Sequence, residues 1–337
     1  MADVAARAGV SRALVSIVVR EQPGASASTR ARVRAAADAI GYRPDSAARL
    51  LARGRSRTIG VLTTVGEPFE ADLIETIYAE AGRLGYGVLL TARSATRGEP
   101  AAVEELLAHR CEALVLLGPE ADDGYLGDLT LRAAVAVVGR GVPGVDSAHS
   151  ADEAGIRQAV EHLTAYGHRA IVHVDGGAGP NADARRAGYR AAMTDAGLAG
   201  EATVLPGSYD EEAGIAAARR LLAGGELPTA VVAGNDRCAV GLLDTLRRAG
   251  VAVPGRVSVA GYNDDRVSRL AHVDLTTVRQ DADALARGAV GAVTARLTEP
   301  ARDPVELVLE PHLVVRGTTG PSSAPPGATG SDPARPE

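Results

Sequence analysis

Residues 3–20 read DVAARAGVSRALVSIVVR, which is two short helical patterns separated by a glycine. Gly9 permits a sharp reversal of the chain, and Ser11 is placed to cap the helix that follows. At 100° per residue the valines of that second helix fall on one side, where they would be buried. The pattern predicts a helix-turn-helix whose second helix lies in the major groove of DNA. The outward side of that helix carries Arg12, Ala13, Ser16, Ile17 and Arg20.

A third helix completes the predicted head of the chain. Ser26 is placed to cap it, and its first turn carries Thr29 and Arg30. Backbone N–H groups, hydroxyls and a guanidinium at a helix start can bind phosphate groups. We therefore expect Ser11, Ser26, Thr29 and Arg30 to contact the DNA backbone and to set the register of the head.

Charge is distributed unevenly along the 337 residues. Residues 1–57 contain eleven Arg and four acidic residues, a net charge of +7, whereas the whole chain carries −6 and the remainder therefore −13. Only the first segment attracts a phosphate backbone. This division predicts a DNA-binding head joined to a body with a different role; the alternative is a basic helical bundle that is merely solvated.

Together these residues resemble the head of the lactose-repressor (LacI) family. The family usually has an Arg in the middle of the second helix, where this chain has Ile17. An apolar side chain there can contact a thymine methyl group, or it is simply a tolerated exposed aliphatic residue. The motifs that carry the resemblance are Asp3-Val4-Ala5, Ala8-Gly9-Val10-Ser11, Val15-Ser16, Ser26, Thr29-Arg30 and Gly41-Tyr42-Arg43-Pro44.

Residues 45–53 read DSAARLLAR, a run of good helix formers that is too short to be stable alone in water. The resemblance implies a hinge helix that orders in the minor groove when two subunits meet on an operator. Leu51 would then insert between base pairs and bend the duplex, and Ala48 would let the paired hinges approach. The alternative is a linker helix whose leucines pack on the body. The head is thus predicted at residues 1–44 and the hinge at residues 45–57.

The chain changes character at residue 58. Residues 58–63 form a nearly continuous apolar run rich in β-branched side chains, which is typical of a strand buried on both faces. The alternation of such runs with amphipathic helical patterns predicts an α/β fold with doubly wound parallel sheets, and the length suffices for two lobes. Similar runs recur at residues 88–90, 113–117, 134–138, 170–174, 229–233 and 257–261.

The body again resembles the LacI family, whose effector-binding core is similar to periplasmic sugar-binding proteins. The resemblance places this core at residues 58–319, with lobe 1 at about 58–149 and 280–309 and lobe 2 at about 150–279 and 310–319. A ligand in the cleft between the lobes can close their hinge, and the carboxyl ends of the strands are expected to meet it. Motifs that carry the resemblance include Ile59-Gly60-Val61, Gly167-His168-Arg169, Gly188-Tyr189, Asn235-Asp236 and Gly261-Tyr262.

Three polar residues of lobe 2 are the first candidates for ligand contact. Arg185 matches the effector arginine of the family, and its guanidinium suits hydroxyls, carboxylates or phosphates; the alternative is a surface arginine of a helix. Asn235 and Asp236 follow a strand end. An amide offers both a donor and an acceptor, so we expect Asn235 to contact the ligand and Asp236 to cap the next helix.

Four further residues are expected near the ligand. Asn263 stands where the family generally has an Asp, with Asp264 beside it, so the usual preference for a sugar is put in question. Phe69, the one Phe of the chain, is placed either to stack on a ring or to pack at a helix start. Gln280 begins the segment that returns to lobe 1, where a ligand contact and a hinge role are both open.

A nucleotide-binding enzyme is an alternative, because the glycine-rich residues 175–179 follow a strand and precede a helix. The dinucleotide spacing is missing, however, and the chain contains no Lys, which excludes a phosphate-loop or Schiff-base lysine. The histidines lack metal-ligand spacing, and Cys111 and Cys238 lie far apart in apolar segments, which favours buried free thiols. We therefore expect no catalytic, metal or cofactor site.

The remaining features concern location and assembly. No apolar run is long enough for a membrane span and no export signal precedes the first helix, which predicts a cytoplasmic protein and disfavours an exported sugar-binding protein, another alternative. Residues 320–337 have the composition of a disordered tail, and no tetramerising heptad is visible. The sequence thus predicts a homodimeric repressor that binds a palindromic DNA operator and a small effector, a sugar or a sugar derivative. Whether the effector releases or tightens DNA binding stays open.

Overall fold

The computed structural model describes residues 1–19, 22–42 and 55–323. The chain divides between Arg57 and Thr58 into two compact units, here called the head and the body. The head consists of the helices α1 (Ala2–Ala8), α2 (Arg12–Val19) and α3 (Ala27–Ala39).

The head folds around a small core of valines and alanines. Val4, Val15, Val18 and Val33 are at most 3% exposed, and they come from all three helices. Between α1 and α2 the chain turns at Gly9, whose φ of 62° is in the left-handed region that glycine adopts without strain. The predicted helix-turn-helix is confirmed, with the valines of α2 facing inward.

The body contains two sheets, each of which defines a lobe. Lobe 1 has the strand order β11-β5-β4-β3-β1-β2, and all of its strand pairs are parallel. Its elements are β1 (Thr58–Thr64), α4 (Pro68–Arg83), β2 (Gly87–Arg93), α5 (Glu99–Ala108), β3 (Ala113–Leu117), α6 (Asp123–Leu129), β4 (Ala134–Val138), β5 (Asp146–Ser150), α11 (Ala282–Thr298) and β11 (Glu306–Leu309).

Lobe 2 has the strand order β12-β10-β9-β8-β6-β7, and only the pair of β10 with β12 is antiparallel among the strands described. Two short 3-10 helices, Ala199–Glu201 and Arg266–Arg269, belong to it. Its other elements are α7 (Asp152–Ala165), β6 (Ile171–Val174), α8 (Ala182–Asp195), β7 (Thr203–Leu205), α9 (Glu211–Ala223), β8 (Ala230–Ala233), α10 (Asp236–Arg248), β9 (Ser258–Asn263), β10 (Thr276–Arg279) and β12 (His312–Val314).

The predicted α/β class and the parallel sheets are confirmed, and the apolar runs are the central strands. Every residue of β3 and β4 is buried, as expected for strands covered by helices on both faces. The sequence pattern missed β5, β7, β10, β11 and β12. These strands are short or lie at sheet edges, and β5 is largely polar, so none of them produces a long apolar run.

The chain passes between the lobes three times. It leaves lobe 1 after β5, returns between β10 and α11, and leaves again between β11 and β12. The second passage matters for packing, because α11 buries Leu285, Ala289 and Val293 in the core of lobe 1. Each lobe is therefore built from discontinuous segments, and the connections between lobes are short.

The end of the body corrects the predicted start of the tail at residue 320. The amide of Gly320 donates to the Ser258 hydroxyl at 3.1 Å, and the amide of Ser322 donates to the Tyr166 carbonyl at 2.8 Å. His168 Nε2 lies 2.9 Å from the Gly320 carbonyl oxygen, so this histidine helps to hold the end of the chain on lobe 2. Residues 324–337, the rest of the predicted tail, lie outside the described residues.

Candidate functional site

The outward side of α2 is the candidate DNA-reading surface of the head. Arg12 and Ala13 are exposed, and Ser16 and Ile17 are half-buried. Ile17 lies beside the loop after α2, since a Cβ added to Gly24 would be 3.9 Å from its Cδ1. The predicted side of the helix is therefore accessible, whereas Arg20, Ala48 and Leu51 lie outside the described residues.

Two serines cap the helices of the head as predicted. The Ser11 hydroxyl accepts a hydrogen bond from Leu14 N at 3.1 Å, and the Ser26 hydroxyl accepts one from Thr29 N at 3.2 Å. Such caps satisfy amides that the helix leaves unpaired. Arg30 donates to the carbonyl of Gln22, so part of its guanidinium ties α3 to the preceding loop. The cap at Ser26 and the bond from Arg30 fix the start of α3, where phosphate contacts are predicted.

A cavity of about 610 Å³ lies between the two sheets of the body. Its walls come from residues that follow the carboxyl ends of strands in both lobes, which is where open α/β sheets bind ligands. Lobe 1 contributes the ends of β1 to β4, and lobe 2 contributes the ends of β6 to β9. Five of the six predicted effector residues line it: Phe69, Arg185, Asn235, Asn263 and Gln280.

Arg185 is buried rather than a surface residue of its helix, with 5% of its area exposed. Its Nε donates to Asp152 at 2.7 Å and one terminal nitrogen donates to the Gly234 carbonyl at 2.7 Å. The guanidinium carbon lies 3.8 Å from the ring centroid of Tyr262, a cation–π distance. Arg185 thus presents a fixed guanidinium to the cavity, with its charge balanced by Asp152.

The structure gives the cap predicted for Asp236 to Asn235, which also lines the cavity. Asn235 caps α10, since its Oδ1 accepts from Cys238 N at 2.9 Å, and its Nδ2 donates to the Tyr209 carbonyl at 2.9 Å. Asp236 is fully buried and accepts from the Asp265 amide at 2.7 Å. Burial, together with the nearby carboxylate of Asp265, holds the pKa of Asp236 well above its usual range. The cap prediction for Asp236 is wrong because the preceding residue already has the extended backbone of a cap.

Asn263 and Gln280 form a pair in the wall of the cavity. Gln280 Nε2 donates to Asn263 Oδ1 at 2.8 Å, and both side chains are buried. The pair leaves the Asn263 amide nitrogen and the Gln280 carbonyl oxygen as one donor and one acceptor for a ligand.

Asp264 does not line this cavity, contrary to the prediction. It faces a neighbouring cavity of about 560 Å³ and receives hydrogen bonds from Arg279, Arg316 and Ser268. Although burial acts to raise the pKa of Asp264, these hydrogen bonds keep it below its usual value. Asp264 lies one residue past the end of β9, where its left-handed φ of 58° takes the chain out of the strand, so its side chain lines only the neighbouring cavity while Asn263 lines both.

Glu70 also lines the cavity, and the sequence reading missed it. It lies in the first turn of α4, where an acid is common because of the helix dipole and attracts no notice. Burial raises the pKa of Glu70 to about 7. Phe69, its neighbour, packs against the core of lobe 1 at the helix start and lines the cavity as well, so both of its predicted roles are compatible with its position.

The ring of Tyr209 packs against the glycine-rich loop after β6. A Cβ added to Gly176 would lie 2.3 Å from the Tyr209 ring, and one added to Gly179 would lie 2.6 Å from it. The Tyr209 hydroxyl donates to the Pro180 carbonyl at 2.9 Å. The glycines therefore make room for an aromatic ring, which covers the loop that a nucleotide phosphate would need to approach.

Polar contacts join the two lobes. Arg237, held by Glu211 of its own lobe, reaches Glu67 of lobe 1 at 3.0 Å. On the neighbouring 3-10 helix, Arg266 contacts Asp72 of α4 at 2.7 Å. Asn181 donates to the Gly139 carbonyl. These partners lie on opposite lobes, so the contacts hold the lobes together in the arrangement described.

Within the described residues no helix has the length and apolar character needed to cross a bilayer. No cluster of three or more potential metal-ligating side chains occurs in that part of the chain. A basic helix-turn-helix and a two-lobed α/β body with a cavity between its sheets define a DNA-binding regulator that responds to a small ligand.

Comparison with known proteins gives the same class. Residues 1–45 match the family described as bacterial regulatory proteins, lacI family, and residues 160–319 match the periplasmic binding protein-like domain. The HTH-type transcriptional regulator GalR of Escherichia coli (strain K12) is 32% identical over 321 residues, covering 93% of this chain and 94% of GalR. The chain therefore belongs to the LacI family and is a DNA-binding transcriptional regulator.

Two solved structures are similar over both units. The lac repressor dimer bound to operator and the anti-inducer ONPF is 29% identical, with a TM-score of 0.82, and the match covers 94% of this chain and 98% of that one. The complex of the transcriptional regulator CelR with cellobiose is 30% identical, with a TM-score of 0.70 and the same coverage.

Proposed function

We propose that this regulator is a repressor of carbohydrate genes whose operator affinity is controlled by a sugar or sugar derivative bound between its lobes. The observation that carries the proposal is the cavity of about 610 Å³, which both lobes build from strand ends in the same chain as a basic helix-turn-helix. Its volume is in the range of small-ligand sites. The cellobiose bound to CelR and the operator bound to the lac repressor support both halves of the proposal.

In the proposed mechanism a homodimer with two-fold symmetry places two heads, residues 1–44, on a palindromic operator. Residues 45–57 act as the hinge that orders in the minor groove. Ligand that stabilises one arrangement of the lobes changes how the two hinges are presented, and operator affinity changes with it. We propose release of the operator on sugar binding.

The same site supports binding rather than catalysis. Arg185 is engaged by Asp152 and the Gly234 carbonyl, and Tyr209 covers the glycine-rich loop. We therefore propose that the protein is not an enzyme and that it acts in the cytoplasm, where its operator lies. Turnover of sugar phosphates or nucleotides by the purified protein would favour the enzyme alternative instead.

The first experiment selects operators from random duplexes with the full-length protein and measures affinity by fluorescence anisotropy. We expect a palindromic consensus. Between 50 and 200 mM salt the affinity should fall by about a thousandfold or more, since each neutralised phosphate adds about −0.9 to the salt slope and 6–10 such contacts are typical. A protein without salt-sensitive affinity for any duplex would be a ligand carrier, not a repressor.

The second experiment tests the hinge with two matched variants. Leu51→Ala should weaken operator binding tenfold or more while sugar affinity is unchanged, because an inserted side chain acts only on DNA. Leu50→Ala removes the neighbouring leucine and is the control, with a smaller effect expected. Equal effects of both variants, or unchanged operator affinity for Leu51→Ala, would support a linker helix packed on the body.

A further inference from the structure

Glu70 differs from the other charged side chains of the cavity wall. Among the described residues, each of the others has a partner of opposite charge, and Glu70 has none. The pairs are Glu67 with Arg237, Glu120 with Arg93, and Arg185 with Asp152. Only 7% of Glu70 is exposed, so its carboxyl group is enclosed by the site rather than solvated at the surface.

The two carboxyl oxygens of Glu70 have different surroundings. Oε2 accepts hydrogen bonds from the Thr63 hydroxyl and the Thr64 amide, both at 2.6 Å, which fixes the side chain at the end of β1. Oε1 accepts no hydrogen bond of normal geometry from the described residues, although the Thr64 side chain lies close enough to the carboxyl group to act against the rise of its pKa. A Cβ added to Gly118, another residue of the cavity wall, would lie 3.4 Å from Oε1. The anchored carboxyl group therefore directs one open acceptor to the cavity.

We infer that Glu70 is an effector-contacting residue whose Oε1 accepts a hydrogen bond from a hydroxyl or ammonium donor of the ligand. The inference rests on the proposed function, because it requires a ligand in this cavity. A solute that fills the cavity displaces water from Oε1, and a buried carboxyl oxygen without a partner is costly. A ligand donor at this position satisfies Oε1 of the ionised carboxylate, whereas a ligand with only an acceptor there would require the protonated carboxyl group and would bind more tightly at low pH.

Glu70 links ligand binding to pH. Its pKa is raised to about 7 by burial, so the unliganded site is close to half protonated at neutral pH. A donor on Oε1 favours the ionised carboxylate, and binding should release a proton. No histidine lines the cavity wall described here. The titratable and charged groups that face the same space are Glu67, Glu120, Arg93, Arg185 and Tyr209.

The test is calorimetric titration of the full-length protein at pH 6 and pH 8, with D-galactose, D-glucose, D-ribose and D-cellobiose as probes. Affinity of a sugar that binds should rise about tenfold from pH 6 to pH 8, because the ionised fraction of Glu70 rises by about that factor, and binding should release close to one proton at pH 6 and about a tenth of one at pH 8. D-Galactosamine and D-glucosamine show whether the ligand group that donates to Oε1 is an ammonium or a hydroxyl. Tighter binding than the parent sugar indicates an ammonium, and weaker binding a hydroxyl.

Two variants complete the test. Glu70→Gln keeps an acceptor for the Thr64 amide and should bind the same sugar equally at both pH values. Glu99→Gln is the control: Glu99 is also 7% exposed and accepts from a backbone amide, Glu120 N at 2.8 Å, but it lies outside the cavity wall. The control should keep the wild-type dependence on pH.

Wild-type binding that is independent of pH, or a pH dependence that persists in Glu70→Gln, would overturn the inference and leave the proposed function intact. Absence of binding by every sugar at pH 8 would overturn the sugar assignment and this inference with it.

Discussion

The head and the body place their functional side chains in opposite environments. In the head the buried residues are valines and alanines, and the predicted DNA contacts lie on the accessible side of α2. In the body the candidate contacts Arg185, Asn235 and Asn263 are buried and hydrogen-bonded to the protein itself. In the head, the side chains that form the core and those predicted to bind DNA are different residues. In the body, the candidate contact residues also stabilise the fold.

Two arginines make this difference testable. Arg12 is exposed at the start of α2, whereas Arg185 is 5% exposed and paired with a buried carboxylate. Removal of the Arg12 side chain should weaken operator binding alone, and removal of the Arg185 side chain should weaken sugar binding alone. Only the second change should reduce the free energy of unfolding strongly.

The largest expected effect is that of Arg185→Ala. It leaves Asp152 buried without its partner, so the body should lose about 3–5 kcal/mol of unfolding free energy and its sugar affinity should become undetectable. Thermal unfolding and calorimetry measure the two losses. Arg190→Ala changes an exposed arginine of the same helix and should change neither. A stable, ligand-binding Arg185→Ala protein would mean that the guanidinium is not part of the site.

Arg12→Ala should act on DNA alone. Loss of a groove contact costs about 1–3 kcal/mol, or roughly tenfold to a hundredfold in operator affinity, while an exposed substitution leaves the unfolding free energy within about 0.5 kcal/mol. Operator anisotropy and thermal unfolding give both values. Arg219→Ala, another exposed arginine in α9, is the control. A fall in the melting temperature of Arg12→Ala without loss of operator affinity would show that Arg12 stabilises the head and does not bind DNA.

Ser26→Ala tests how much one helix cap contributes to the stability of the head, whose core is small. The variant removes the hydrogen bond from Thr29 N, and the expected cost is about 1 kcal/mol of head stability. Hydrogen exchange of the α3 amides measures this loss. Protection in the body should be unchanged, and unchanged protection in α3 would show that the cap contributes nothing.

The smallest effect is expected at the contact between Arg237 and Glu67 across the lobes. This pair is only partly buried, so Arg237→Ala should weaken sugar binding by about two- to fivefold, because it removes one contact that joins the lobes around the cavity. Calorimetry gives the change. Arg248→Ala breaks an exposed pair with Asp244 on the same helix and serves as the control. Tighter sugar binding in Arg237→Ala would show that the bound lobes are more open than those described.

The same difference between head and body explains why the sequence predicts the outer side of α2 better than the cavity. Helix periodicity within eight residues places Arg12 and Ile17 on the outer side of α2, because local geometry alone determines that side. The cavity depends instead on strand ends that are far apart in sequence. Apolar runs locate the central strands, but short polar strands such as β5 give no such signal, since their burial comes from their neighbours.

Within the cavity, sequence proximity is a poor guide. Asp264 was predicted beside the ligand because it follows Asn263, yet it faces a different cavity and is bound by arginines. Glu70 was not predicted at all, because an acid in the first turn of a helix is common. Its proximity to β1 and the Gly118 loop arises only when the sheet forms.

The central claim is that the head and the body are thermodynamically coupled, and reciprocal binding tests it most directly. Sugar affinity is measured by calorimetry for the free protein and for the protein saturated with operator duplex. Operator should weaken sugar binding by about fivefold or more, and saturating sugar should weaken operator binding by the same factor. Equal sugar affinities with and without operator would contradict it.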